Sequence, residues 1–180
     1  MRKFFKALIV TGLLLSTAWV VLKSAPILDV FYTVKIVKQH PLQNTIKLKD
    51  GTLIEVHKEV APFVEEFFNE SYKRGVKVDS IFQKFGGMYV DKLPLGILGS
   101  TYFHSDRYFA VISPSLLNNH NRLRAVVFHE LAHVYVGNRI DHCHNICTQI
   151  FSASSSTNYY GINWENQKDV LFYDLPHWGN

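Results

Sequence analysis

Between Asn121 and Val136 the apolar residues Leu123, Val126, Val127, Leu131, Val134 and Tyr135 recur at helical spacing, and the string His129-Glu130-Leu131-Ala132-His133 lies inside that run. Residues four apart on an α-helix stand on one face, so both imidazoles can reach one Zn²⁺. Glu130 sits beside them, where a carboxylate can take a proton from a metal-bound water. Two more histidines, His142 and His144, follow soon after, so four of the nine histidines fall between 129 and 144. The plainer alternative is a helix with a polar edge whose histidines are solvated or satisfied in the core.

A catalytic zinc needs three protein ligands and an open fourth position. The helix is expected to end at Gly137-Asn138, which turns the chain and lets the next loop fold back over the metal. His142 is the natural third ligand, with His144 and Asp141 as alternatives in the same loop. A rival layout takes the ligand from a later helix, where Glu165 and Asp169 have the spacing of the glutamate-type zinc peptidases. The expected set is therefore His129, His133 and His142 on the metal, with Glu130 as the catalytic base.

The rest of the chain reads as strands and helices around this one. Asp29–Val37 is rich in β-branched and aromatic residues, and Thr45–Lys49 and Thr52–Val56 flank Asp50-Gly51, which predicts a hairpin with a type I′ turn. Glu59–Arg74, with Pro62 near its start and Gly75 past its end, reads as an amphipathic helix with a glycine cap. From Val76 to Ser113 short β-like pieces are broken by Gly86-Gly87, Pro94, Gly96 and Gly99, and Tyr108–Ile112 is the best strand. If that strand lies at the sheet edge beside the histidine helix, it could bind an extended peptide by backbone pairing. Asn163 is placed to cap a last helix, Trp164–Tyr173. The expected fold is α+β: a small mixed β-sheet, a backing helix, the zinc helix and a C-terminal helix.

Residues 1–23 begin with Arg2, Lys3 and Lys6 and continue with an uncharged, mostly apolar run from Ala7 to Leu22. This reads as a signal anchor, with a signal peptide cleaved after Ala18 as the alternative. Either version leaves the basic end in the cytoplasm and carries residues 24–180 to the exported side, membrane-anchored or secreted. No Cys follows the run, which excludes a lipoprotein attachment. Those basic residues and Lys23 carry the whole excess of the formal +4 charge, so the remainder is neutral and a nucleic-acid partner is not expected. The division is then 1–23 for targeting, 24–58 for the hairpin and linker region, and 59–180 for the domain with the histidine helix.

The helix and loop resemble the metzincin clan of zinc peptidases, with its pattern H-E-x-x-H-x-x-G-x-x-H and a methionine-containing turn under the metal. Arg124–His133, Ile150–Ser154, Tyr159-Tyr160 and Asn163-Trp164 look like a group of small metzincin-like proteins of bacteria and phages. Val136 and Arg139 stand where the clan has its glycine and third histidine, so Gly137 and His142 fit with a longer loop, and Phe151 takes the place of the turn methionine. The resemblance implies a zincin-like fold and zinc-dependent hydrolysis of a peptide or protein substrate. Two other readings share the motif. One is a membrane-tethered, non-catalytic interaction module with a closed zinc site that also uses Cys143 or His144. The other is an amidase acting on cell-wall peptides.

Other residues have plainer roles. Cys143 and Cys147 are free thiols or a short-range disulfide, and Tyr159 and Tyr160 are a core residue and a cleft residue, one of them a candidate oxyanion donor. Ser152–Ser156 lacks the G-x-S-x-G context of a serine nucleophile, and no glycine-rich phosphate loop is present. The oligomeric state is not legible.

Overall fold

The computed structural model describes residues 44–137 and 163–177, all of them within the compact unit Gln39–Asn180. The targeting segment, the Asp29–Val37 strand and the loop bearing Asp141, His142, Cys143, His144, Cys147, Phe151, Tyr159 and Tyr160 lie outside the described residues. Among the described residues no helix is long and apolar enough to cross a membrane.

Strands β1 (Asn44–Lys47) and β2 (Leu53–Val56) form the expected antiparallel hairpin, burying Ile46, Ile54 and Val56. The turn differs from expectation. Leu48 and Thr52 close a three-residue loop in which Gly51 alone adopts a positive φ, +92°, while Asp50 bonds back to Thr52. A type I′ turn needs positive φ at both central residues, and the carboxylate of Asp50 is instead used to cap the backbone N–H and hydroxyl of Thr52.

Helix α1 (Ala61–Lys73) carries Pro62 in its first turn and buries Ala61, Phe63, Val64, Phe67, Phe68 and Ser71. It ends in a Schellman motif: Val76 N–H donates to Ser71 O at 2.9 Å and Gly75 N–H to Tyr72 O at 3.2 Å, with Gly75 at φ +75°. A one-turn helix α2 (Asp79–Phe82) leads into β3 (Phe85–Val90). Gly86 and Gly87 belong to β3 and do not interrupt it. A Cβ on Gly86 would sit 2.2 Å from the Phe109 ring, and the register shift between Phe85 and Gly87 absorbs Gly87 at φ +131°.

Strands β4 (Gly99–His104) and β5 (Arg107–Ile112) form a second hairpin whose two-residue loop, Ser105-Asp106, has φ of +50° and +61°. This is where the positive-φ pair of a two-residue hairpin occurs. The five strands order as β1-β2-β3-β5-β4, with β2, β3 and β5 parallel and the outer pairs antiparallel. Strand β5 is therefore interior, and among the described residues β4 is the outer strand. The edge position that peptide binding by Tyr108–Ile112 requires is not met, because that strand pairs with β3 on one side and β4 on the other, in keeping with its apolar composition.

Helix α3 (His120–Val136) matches the expected segment, with the Asn119 side chain accepting from Arg122 N–H at 3.1 Å and Gly137 closing it at φ +69°. It is less one-sided than its sequence suggests. Ten of its residues are buried, because α1, β4, β5 and α2 all pack on it. Helix α4 (Trp164–Asp174) is capped by Asn163, whose side chain accepts from Asn166 N–H at 3.2 Å. Phe67, with no exposed surface, ties the helices together through Phe68, Phe82, Phe128 and Phe172 at centroid distances of 5.2–6.0 Å. Each such pair adds about 0.5–1.5 kcal/mol beyond area burial. The architecture is thus mixed α+β, with a five-stranded mixed sheet and helices packed on it.

Candidate active site

On α3 the partly exposed residues Arg122, His129 and His133 follow one another at helical intervals and so share one face, while Arg124 and Tyr135 are partly exposed elsewhere on the helix. His129 and His133, one turn apart, bring their Nε2 atoms to 2.9 Å with rings crossed at 73°. Two imidazoles aimed at one point suit a shared tetrahedral zinc, for which ligand nitrogens at about 2.0–2.1 Å from the metal stand about 3.3 Å apart. A small rotation of either ring reaches that spacing, so the pair fits the donor set zinc uses.

Glu130 lies on the neighbouring face and is turned inward, with 3% of its surface exposed. Its carboxylate fits between α3 and β4. Thr101 Oγ1 donates to Oε2 at 2.7 Å and stands 3.1 Å from the backbone oxygen of the same residue. Burial pushes the Glu130 carboxyl up to about 8, against the smaller lowering effect of the Thr101 hydroxyl. At that value the carboxyl keeps its proton at pH 7 and gives it up as pH rises through about 8, so this buried group holds a proton more tightly than an exposed glutamate does.

Among the described residues no three His, Cys, Asp or Glu side chains gather closely enough to hold a metal ion. His142, His144 and Asp141 fall outside those residues. Glu165 is within them, and its carboxylate meets Lys168 Nζ at 2.8 Å and Arg74 Nη2 at 3.9 Å. Asp169 likewise accepts from Arg74, at 2.6 Å and 3.0 Å. Both carboxylates of the rival layout are thus engaged with the ionic cluster that joins α4 to α1.

No family model and no curated protein matches this chain. Among solved structures, it is similar to the GM1-bound form of the ECX AB5 holotoxin at 17% identity and TM-score 0.37, over 76% of this chain and 68% of that one. A likeness of that size carries no argument.

Sequence reasoning did not find Thr101 or Gly99. Both lie on β4, far in sequence from α3, and neither type carries chemistry in isolation. Gly99 had stood out only as a break between strands. In the fold, a Cβ at Gly99 would come within 2.4 Å of Glu130 Oε1 and 2.7 Å of Val126 Cγ1.

Proposed function

We propose that the chain is a zinc-dependent peptidase of metzincin-like type, in which His129 and His133 hold the metal with His142 as third ligand and Glu130 is the general base. The observation that carries this reading is the approach of the two Nε2 atoms to 2.9 Å on a helix that also bears a buried carboxylate fixed by Thr101. Zinc supplies a Lewis acid and an activated water at such a position. With that group bound, Glu130 would be the residue that accepts a proton and later gives it to the leaving amine, and His129 and His133 would be the residues that hold the metal. β4 is the outer strand of the sheet among the described residues and packs on α3, so it is the strand whose backbone an extended substrate would pair with in this reading.

The burial of Glu130, at 3% exposed, favours a second reading, a zinc-stabilised interaction module with no open coordination position. Cobalt substitution separates the two: a spectrum that responds to a hydroxamate indicates an open site, and an unresponsive one supports the module. The decisive experiment for activity is metal analysis combined with cleavage of an unbiased peptide library, with Glu130→Gln as control. Cleavage only of cell-wall peptides would assign the amidase reading. Export of the domain is supported by Arg2, Lys3 and Lys6 preceding the apolar run. A reporter enzyme active only outside the cytoplasm, fused after Asn180, is expected to be active.

A further inference from the structure

The two oxygens of Glu130 meet two residues of one strand. Gly99 and Thr101 are two apart on β4, so they share a face, and that face looks onto α3. Oε2 accepts the Thr101 hydroxyl at 2.7 Å. Oε1 occupies the space that a side chain at Gly99 would fill, because a Cβ there would lie 2.4 Å from Oε1 and 2.9 Å from Cδ. The same hydroxyl stands 3.1 Å from Glu130 O, so the clamp is tied to the helix backbone at the residue whose side chain it holds. Gly99 pairs with Ile112 and Thr101 with Ala110 in the ladder to β5, which fixes both positions relative to the sheet.

We propose that Gly99 and Thr101 are positioning residues for Glu130: Thr101 fixes one carboxylate oxygen and Gly99 reserves the room for the other. This rests on the reading of Glu130 as general base. A glutamate has three side-chain torsions, and a base must sit within hydrogen-bond reach of the proton it takes. Holding both oxygens against the sheet selects one rotamer before substrate arrives. The roles are distinct in kind, since a hydroxyl is required at 101 and the absence of a side chain at 99. Serine can replace threonine in the first, and nothing larger than glycine can serve in the second without moving the carboxylate or Val126.

The test compares the full chain with Thr101→Val, Thr101→Ser and Gly99→Ala, using the best-cleaved fluorogenic peptide from the library. Thr101→Val is expected to lower kcat about 10-fold or more, with KM and zinc content within about 2-fold, and Thr101→Ser to recover most of the loss. Gly99→Ala is expected to lower kcat at least as far. An active wild type with kcat unchanged in Thr101→Val, or Thr101→Ser as impaired as Thr101→Val, overturns the proposal.

A second readout needs no activity. In the metal-free chain, Thr101→Val should lower Tm by about 3–8 °C when Glu130 is present and by clearly less in a Glu130→Ala background, where the hydroxyl keeps only the backbone oxygen of residue 130. Equal shifts in the two backgrounds overturn the clamp even where Gly99→Ala fails to fold. A wild type that binds zinc and cleaves nothing ends the peptidase reading alone, and the Tm cycle then decides whether β4 holds Glu130.

Discussion

Lys168 Nζ lies 3.3 Å from Glu70 Oε2 with 4% of the lysine side chain exposed, which joins the last helix of the described fold to the first. The pair belongs to a larger cluster. Glu66 accepts from Arg124 and from Trp164 Nε1, and Arg74 bridges Glu70 and Asp169. Arg124 also stacks on the Trp164 ring at 4.3 Å. The buried ammonium is surrounded by carboxylates of three helical positions, so its desolvation is offset by hydrogen bonds as well as charge.

Removing that ammonium leaves Glu66 and Glu70 partly buried with reduced compensation. Lys168→Met is expected to destabilise the fold by about 2–4 kcal/mol, read as a lower midpoint in urea with an unchanged slope. A midpoint within error of the wild type would show that Arg74 and Arg124 alone satisfy the cluster.

Phe67 makes ring contacts with four aromatic residues and has no exposed surface. Phe67→Ala should cost about 3–5 kcal/mol, from lost transfer energy and the cavity left between α1, α3 and α4. Phe67→Leu, which retains much of the volume, should cost less than half of that.

The carboxyl of Glu130 has a folded-state value of about 8 against an ordinary 4.5, so the folded chain binds that proton more tightly than the unfolded chain does. Its contribution to stability is therefore complete below about pH 4.5 and is lost as pH rises through about 8. The metal-free wild type should lose stability across this window relative to Glu130→Gln. Denaturant titrations with a chelator present, at intervals from pH 4.5 to 8.5, test this; parallel curves for the two proteins would refute it.

The ion pairs of Glu165 with Lys168 and Arg74 predict how zinc affinity responds to mutation. Glu165→Ala should leave metal binding intact, and His142→Ala should greatly weaken it, with His144→Ala costing about 10–100-fold as a supporting residue. Competition with a chromogenic chelator measures all three. Loss of zinc in Glu165→Ala with His142→Ala unaffected would move the site to the glutamate-type layout.

Local signals carried most of the elements. Asn163, Gly75 and Gly137 terminate helices where their chemistry suggests, since caps act through hydrogen bonds a few residues long. The same locality explains the errors. Asp50-Gly51 and Ser105-Asp106 are both plausible hairpin dipeptides, and which becomes the two-residue turn depends on strand register, set by pairing across the sheet.

The order of strands was not legible at all. Tyr108–Ile112 is legible as a strand, but whether it lies at the edge or inside is left open by its sequence, and its place between β3 and β4 is a property of long-range pairing. Likewise the helical period of 120–136 shows that α3 forms, while its burial on most sides reflects four neighbours that the period does not encode.

By itself the sequence determined that His129, Glu130 and His133 share a helix and that the two histidines stand on one face of it, because helical geometry depends only on spacing along the chain. Only the tertiary structure decided what surrounds Glu130. Its burial, its raised proton affinity and its contact with Thr101 and Gly99 all come from β4 packing on α3. Those residues are remote in sequence and chemically plain, so nothing local marks them; desolvation and hydrogen-bond partners arise only once the sheet and helix are brought together.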